Sequence, residues 1–345
     1  MKRLLIALAI SFVAAGVFAQ ATDRDVLVTP EGAVYTIEQQ TPSDSSGVAA
    51  NNVLQLSIQN GSETQRLIVP ESLSAGFHSD AVLAYDSTSK TLFVLWTHMP
   101  SGMSSELILA SYHEGKWQHA IAIDNQGYEN HLNLRLGITR RVSQLQKDGT
   151  YADAPALILH ALWWDSNAHG EEAKYAMLPI ENGAVSPASV EIHSLEEFVG
   201  NDDAVNTVDA NFNAEILRHP AIVSSPMQSS VDVVFGDTQK NTIHKVTLHP
   251  IAEHRIHIPV GIGSGSGGPK SLSMPLPASF SADWRGPITV IERGDRLVFT
   301  NATDKALSYV TYSDGTWTDV KSIALSNKLS AEAALAAVDK MVSSQ

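Results

Sequence analysis

Residues 81–123 read AVLAYDSTSKTLFVLWTHMPSGMSSELILASYHEGKWQHAIAI, and this stretch decides the fold. Runs rich in Val, Ile, Leu, Tyr and Trp are separated by polar turns, which predicts β-strands and not helices. Because each run follows the previous one through a short connection, the strands form an antiparallel meander. The four predicted strands are Ala81–Tyr85, Thr91–Thr97, Glu106–Tyr112 and Trp117–Ile123.

The same pattern recurs along the chain. The second strands of five such groups start at residues 34, 92, 157, 231 and 297. Four strands per repeat are typical of the blades of a β-propeller, so the sequence predicts an all-β, five-bladed propeller of four-stranded antiparallel blades. Six blades follow if segments 194–220 or 260–286 contain further strands, and a β-sandwich is the alternative architecture. In the fourth group the last strand is expected at Arg255–Pro259, and segment 139–155 is expected to be a polar insertion in a hairpin.

Both ends of the chain have their own signals. Lys2 and Arg3 precede an apolar run from Leu4 to Phe18. Val17 and Ala19 fit a cut before Gln20, and Ala19 and Ala21 fit a cut before Thr22, which predicts a cleaved signal peptide over residues 1–21, with an uncleaved membrane anchor as the alternative. We therefore expect a periplasmic or secreted protein with its propeller over residues 22–328. Residues 329–345 are expected to form a short C-terminal helix and tail, because the segment that starts at Ser330 has helical periodicity.

Composition excludes several functions. The chain has no Cys, so disulfides, thiol nucleophiles and cysteine-rich zinc sites are ruled out. Without Lys2 and Arg3, 21 of the 23 basic residues remain against 37 acidic ones, a net charge of −16. A protein this acidic is a poor partner for nucleic acid or for anionic membranes. No later segment is long and apolar enough to span a membrane.

Two turns between third and fourth strands are alike: Tyr112-His113-Glu114-Gly115-Lys116-Trp117 and Tyr312-Ser313-Asp314-Gly315-Thr316-Trp317. They resemble a shortened form of the Asp-box turn of sialidase-like propellers, in which the Asp and the Gly are separated by one residue. In that family the turn stabilises the fold and takes no part in catalysis. The resemblance implies a propeller, whereas the Phe-Arg-Ile-Pro signature of sialidases is absent from this chain.

In a propeller the first strand of each blade lines the axis. The starts of the first strands and the loops between second and third strands share one end of the molecule, here called the loop face, where we expect a site. His78, His131 and His219 precede the first strands of three blades. Three imidazoles at the axis could bind Zn²⁺ or Fe²⁺, or each could satisfy backbone groups of its own turn.

Arginines and a polar loop also map to this face. Arg24, Arg135, Arg218 and Arg285 lie near the starts of four blades and could clamp a carboxylate, or could be solvated. The loop from Trp163 to Glu172 combines aromatic and acidic residues, which suit a sugar, although core packing of the two Trp residues is the simpler interpretation. The predicted ligand-binding residues are His78, Asp80, His131, Arg135, Asp165, His169, Arg218, His219, Trp284 and Arg285.

The sequence therefore favours an exported propeller that binds a carbohydrate or a protein partner through its loop face. The alternatives are a sialidase-like glycoside-processing enzyme, so that any enzymatic activity is expected to be glycoside hydrolysis, and a metal-dependent propeller that uses the axial histidines. The chain contains no nucleophile elbow, P-loop, dinucleotide fingerprint or H-E-x-x-H motif, and no catalytic residue or cofactor is assigned.

Overall fold

The computed structural model describes five antiparallel sheets, which are the blades of a five-bladed propeller. Among the described residues, no helix has the length and hydropathy needed to span a bilayer. The predicted signal peptide lies outside the described residues. These comprise residues 24–29, 31–40, 52–100, 104–125, 130–167, 170–181, 183–185, 190–194, 221–224, 230–237, 242–248, 251–253, 255–257, 271–275, 288–293, 296–303, 305–326, 334–335, 337–338 and 341–342.

The strands follow the chain blade by blade. Blade one contains β1 (Arg24–Val28), β2 (Val34–Gln40), β3 (Val53–Asn60) and β4 (Glu63–Ile68). Blade two contains β5 (Phe77–Asp86), β6 (Thr91–Met99), β7 (Glu106–His113), β8 (Lys116–Trp117) and β9 (Ile121–Asp124). Blade three contains β10 (Asn130–Leu145), β11 (Tyr151–Asn167), β12 (Gly170–Glu181), β13 (Ala184–Val185) and β14 (Glu191–Ser194).

Blades four and five follow along the chain. Blade four contains β15 (Ala221–Val223), β16 (Val231–Asp237), β17 (Thr242–Leu248) and, later in the chain, β20 (Ser271–Pro275). The short strands β18 (Ile251–Glu253) and β19 (Arg255–His257) lie between them. Blade five contains β21 (Ile288–Arg293), β22 (Arg296–Ala302), β23 (Ala306–Ser313), β24 (Thr316–Trp317) and β25 (Lys321–Ala324).

Two strand predictions were wrong. The fourth strand of blade four is β20, and the segment predicted there forms the hairpin β18–β19, of which β18 pairs with β10 of blade three at Ser143↔Ile251. A strand pattern shows that a segment is extended, but it does not identify the sheet that the segment joins. Segment 139–155 is no insertion: β10 and β11 stay paired out to Leu145↔Tyr151. Arg140 of this extension forms an ion pair with the buried Asp86 of blade two.

Strands that are apolar on both sides hold the blades together. On β6, Leu92, Val94 and Trp96 pack toward blade one. Phe93 and Leu95 point to the opposite side and pack against blade three. Each of these side chains is at most 1% exposed. Further apolar clusters join blade three to blade four and blade four to blade five.

The outer face of blade five has a different cover. Val298, Leu307 and Tyr309 of this face pack against Ala334 and Val338 of the C-terminal segment. The described residues of that segment have helical backbone conformation, but they are too scattered to define an element. The predicted C-terminal helix is therefore not supported as an element of the fold, and this all-β protein has one short 3₁₀ turn, Pro70–Leu73, in its described part.

The two Asp-box-like turns have the same geometry. Glu114–Gly115 and Asp314–Gly315 have positive φ at both positions, with values from 49° to 80°. Two-residue turns with two positive φ angles match the twist of an antiparallel hairpin and require Gly, Asn or Asp for the lowest strain. The indole N–H of Trp317 donates to the carbonyl of Pro275 at 2.8 Å, which links blade five to blade four. The turns therefore stabilise the blades.

A matching β-bulge opens the first strands of blades two and three. Asp80 and Asn133 each follow a buried His by two residues and have φ angles of 51° and 55°. At both positions the register shifts, between Ser79 and Val82 and between Leu132 and Arg135. Asp and Asn tolerate this left-handed conformation better than other residues with a side chain. The repeated His-x-Asp/Asn pattern is thus explained by backbone geometry.

We expect Asn133→Val to lower the free energy of unfolding by about 1–2 kcal/mol, because a β-branched residue is strained at positive φ. Asn133→Gly should stay within ~0.5 kcal/mol of the wild type. Urea denaturation measures both values, and Asn130→Val, at a position without positive φ, is the matched control. Equal destabilisation by Val and Gly at position 133 would contradict the strain argument.

His160 is the best-defined polar group inside blade three. It is fully buried, with Nε2 at 2.8 Å from the hydroxyl of Thr139 and Nδ1 at 2.6 Å from that of Tyr175. Burial lowers the pKa of His160 from 6.5 to about 3, since the charged imidazolium would lose its solvation. The imidazole is consequently neutral in the folded protein at every pH above this value.

The unfolded chain binds a proton at His160 below about pH 6.5, and the folded chain does not, so folding stability falls as the pH drops through this window. Between pH 7 and pH 5 this single group removes about 2 kcal/mol. His160→Gln should be less stable than the wild type at pH 7. Between pH 7 and pH 5, however, its free energy of unfolding, measured by urea denaturation, should fall less than that of the wild type, by the amount just given. An unchanged pH dependence would refute the assignment.

Candidate functional site

Blades two and three present matched positions at the loop face. His78 on β5 pairs with His98 on β6, and His131 on β10 pairs with Asp165 on β11. On the next strands, His98 pairs with Glu106, and Asp165 pairs with Glu172. Each second strand also carries a buried Trp two residues earlier, Trp96 and Trp163. The two blades therefore place similar side chains in equivalent positions, with a His in one blade where the other has an Asp.

In blade two the two imidazoles stack. The rings of His78 and His98 are parallel within 7°, and their centroids are 4.6 Å apart. Nδ1 of His78 accepts a hydrogen bond from the indole N–H of Trp96 at 3.2 Å, which leaves the proton on Nε2, 3.4 Å from the carbonyl of Ser74. Burial lowers the pKa of His78 to about 4, so this ring is neutral at neutral pH.

An open groove lies beside this pair. Nδ1 of His98 is 3.2 Å from Oε2 of Glu106, and its Nε2 is 3.1 Å from the carbonyl of Ala75. The cavity volume is about 350 Å³. We call it the blade-two groove, and it is lined by Pro70, Glu71, Ser74, His78, Trp96, His98, Glu106, Ile108, Ala120, Ile121 and Ala122.

Glu71 supplies an acceptor to this groove. Its Oε1 accepts a hydrogen bond from the backbone N–H of Ala120 at 3.3 Å. Its Oε2 is buried and has no hydrogen-bond partner among the described residues. A buried carboxylate oxygen is costly to leave without a donor, so this wall of the groove has an unsatisfied acceptor behind its surface.

In blade three the equivalent position is closed. Nε2 of His131 lies 3.5 Å from Oδ2 of Asp124 and 3.6 Å from Oδ1 of Asp165. All three residues are at most 6% exposed. We call these three residues the blade-three cluster. In the described part of the chain, it is the one group of three His and carboxylate side chains whose ligand atoms all lie within 4.8 Å of one another. The residue types could therefore hold a metal ion.

Near the axis, the first strands of three blades converge. The carboxylate of Asp25 on β1 accepts hydrogen bonds from the backbone N–H groups of Val26 at 2.9 Å and of Leu83 on β5 at 2.8 Å. Burial raises the pKa of Asp25 to about 6, although the two N–H groups and the charge of Arg135 on β10 act in the opposite direction. The guanidinium of Arg135 also donates to the carbonyl of Leu134 at 2.9 Å.

The predicted ligand-binding residues divide into two sets. His78, Asp80, His131, Arg135 and Asp165 are described, whereas His169, Arg218, His219, Trp284 and Arg285 lie outside the described residues. His131 and Asp165 come together. His78 stacks on His98 in blade two. Because His219 lies outside the described residues, the three-histidine site at the axis stays a prediction.

Several residues of these sites were not among the predicted ones, namely Asp25, Glu71, His98, Glu106 and Asp124. The register of the hairpin β5–β6 could have identified His98 as the residue opposite His78. Nothing in the sequence could identify Asp124, since it reaches His131 only when blades two and three pack. Trp163 and Trp164 are buried in the apolar cores between blades, which is the core packing given above as the simpler interpretation. Neither ring is exposed to stack on a sugar.

Comparisons with known proteins give similarity of structure only. No protein-family profile matches the sequence, and no curated protein matches it significantly. The Hadza microbial sialidase Hz136 is 13% identical at a TM-score of 0.46, over 88% of this chain and 58% of that chain. A protein of unknown function from Dyadobacter fermentans is 10% identical at a TM-score of 0.46, over 90% of this chain and 84% of that chain.

The enzyme CoXyl43, a GH43 beta-xylosidase/alpha-arabinofuranosidase from a compost microbial metagenome, is 10% identical at a TM-score of 0.37. This match covers 90% of the present chain and 92% of CoXyl43. At such identities and TM-scores the matches carry no argument about activity.

Proposed function

We propose that this protein is an exported propeller that binds a neutral, hydroxyl-rich ligand of the saccharide class in the blade-two groove. The observation that carries the proposal is the lining of the groove, in which the carboxylates of Glu71 and Glu106 and the imidazole of His98 stand beside apolar side chains. Sugar hydroxyls are donors that fit such carboxylate acceptors.

The charge of the groove supports a neutral ligand. Among the described residues, its lining includes the carboxylates of Glu71 and Glu106 and no Lys or Arg. His78 adds no charge at neutral pH because burial lowers its pKa to about 4. A carboxylated sugar would be repelled here, so the groove does not favour the sialidase-like alternative, which needs arginines.

The size and remaining lining of the groove suit a small sugar. A cavity of about 350 Å³ lies within the usual range of small-molecule sites. Pro70, Ile108 and Ile121 provide apolar surface for the C–H face of a ring, while Glu71, His98 and Glu106 provide polar contacts. This combination of apolar walls and a few polar groups is typical of specific binding pockets.

Neutral mono- and disaccharides are the probes for this proposal, with binding measured by isothermal titration calorimetry. Glu71→Gln and Glu106→Gln should each weaken binding about 10- to 100-fold, because a hydrogen bond to a charged acceptor contributes about 1.5–3 kcal/mol. Glu114→Gln is the matched control, since Glu114 lies in the same blade on an exposed turn. The Glu114→Gln variant should bind the sugar with the affinity of the wild type.

The proposal fails if none of the neutral sugars binds at millimolar concentration. It also fails if both groove variants bind a sugar as tightly as the wild type. Circular dichroism of each variant would show that lost affinity does not come from unfolding.

Glycoside hydrolysis is a second candidate, and the raised pKa of Asp25 favours it. A carboxyl group with a pKa of about 6 can stay protonated and act as a general acid near neutral pH. Glycosidases use a pair of carboxyl groups, and Asp80 on β5, the first strand of the neighbouring blade, is our candidate for the second one.

If Asp25 is this acid, kcat/KM on a panel of neutral 4-methylumbelliferyl glycosides should fall as the pH rises above about 6, because the acid loses its proton. Asp25→Asn should lower kcat/KM by at least about 10²-fold. Glu292→Gln is the control, since the pKa of Glu292 is raised to about 7 but its carboxylate pairs with Lys245 at 2.7 Å between blades four and five. Full activity of Asp25→Asn, or no hydrolysis by the wild type, would exclude this candidate.

A further inference from the structure

Three histidines of the described chain are fully buried, and one of them has unusual surroundings. His160 contacts two hydroxyl groups, and His78 contacts an indole N–H and a carbonyl oxygen. His131 has Nδ1 at 2.7 Å from the hydroxyl of Ser105, but its Nε2 has no hydrogen-bond partner among the described residues. This nitrogen instead faces two buried carboxylates, those of Asp124 and Asp165.

The distances in the blade-three cluster do not match hydrogen bonds. Nε2 of His131 is 3.5 Å and 3.6 Å from the two carboxylate oxygens. An N–H···O bond spans about 2.7–3.2 Å, and one to a charged acceptor is shorter still. Two ligands of one tetrahedral ion with bonds of about 2.0–2.2 Å are about 3.3–3.6 Å apart. The observed separations therefore match two ligands that share a metal ion.

We propose that Asp124, His131 and Asp165 bind one divalent transition-metal ion, Zn²⁺ or Mn²⁺. One imidazole and two carboxylates are donors that both ions accept. Ca²⁺ fits less well, because it takes six to eight oxygen ligands. The two carboxylates are at most 6% exposed, so an ion between them would be enclosed by the protein.

The groups around the cluster hold the ligands in place. The indole N–H of Trp163 donates to Oδ1 of Asp165 at 2.8 Å. With Nδ1 protonated, His131 donates to the hydroxyl of Ser105, and the lone pair of Nε2 then points at the two carboxylates. Metal-binding histidines almost always donate their second ring N–H in this way, and carboxylate ligands are in turn hydrogen-bonded.

The position of the cluster gives the ion a structural role. Asp124 ends β9 of blade two, whereas His131 and Asp165 lie on β10 and β11 of blade three. One ion would therefore join two neighbouring blades at the loop face. Because the unfolded chain does not hold these three residues together, binding would stabilise the folded state. This site is separate from the blade-two groove and does not depend on the proposed function.

The test uses the full purified chain. Elemental analysis by mass spectrometry counts bound metal, and calorimetric titration measures the affinity of EDTA-treated protein for Zn²⁺ and for Mn²⁺. We expect one ion per chain and a higher Tm with metal than with EDTA. Asp165→Asn and His131→Gln should each weaken binding by at least about 100-fold, since they remove a ligand itself and not an outer partner. Co²⁺ should give the visible absorption of a tetrahedral site in the wild type and not in these two variants.

His160→Gln is the matched control, because His160 is an equally buried histidine of the same sheet without a carboxylate nearby. It should lose stability and still bind one ion per chain. The Tm of the wild type with and without EDTA keeps the test decisive where a variant does not fold. Two outcomes overturn the proposal: a wild-type protein that takes up neither Zn²⁺ nor Mn²⁺ at one site, and an Asp165→Asn variant that binds as tightly as the wild type.

Discussion

Face-to-face packing of the blades is the interaction on which the rest of this structure depends. β6 shows it most clearly, because Phe93 and Leu95 are buried against blade three while Val94 and Trp96 are buried against blade one. Fully burying a large apolar side chain stabilises the folded state by about 1.5–3 kcal/mol. A strand that is buried on both sides therefore stabilises the contacts with both neighbouring blades. Residues remote along the chain meet at the loop face only because this packing fixes the angle between neighbouring blades.

Blades one and five, the first and the last along the chain, show what happens where no strand is buried between two neighbouring blades. Blade one alternates strictly, with Leu54 and Leu56 of β3 buried and Gln55 and Ser57 on the other side, so one face alone can enter an apolar core. Blade five has a second apolar face, and the C-terminal segment covers it through residues such as Val338. The C-terminal segment thus covers the apolar face of blade five that no other described blade buries.

The local sequence pattern was enough to predict the antiparallel meanders and the five blades, because strands and turns are recognised from residues that are close together in the sequence. It failed where the partner of a strand had to be known: residues 255–257 look like a fourth strand but pair within the sheet of blade three. The same reason explains the site. His131 and Asp165 were predicted, since both lie at the loop end of one hairpin, whereas Asp124 belongs to another blade and approaches them only through packing between sheets.

Blades two and three show how one scaffold yields two kinds of site. The indole N–H of Trp96 donates to His78, while that of the equivalent Trp163 donates to Asp165, because Asp165 stands where blade two has His98. A second imidazole at this position stacks on the first and lines an open groove. A carboxylate at the same position lies 3.6 Å from Nε2 of His131, and Asp124 of blade two lies 3.5 Å from the same nitrogen. A single difference in residue type therefore separates an open groove lined by two stacked imidazoles from a closed cluster of one imidazole and two carboxylates.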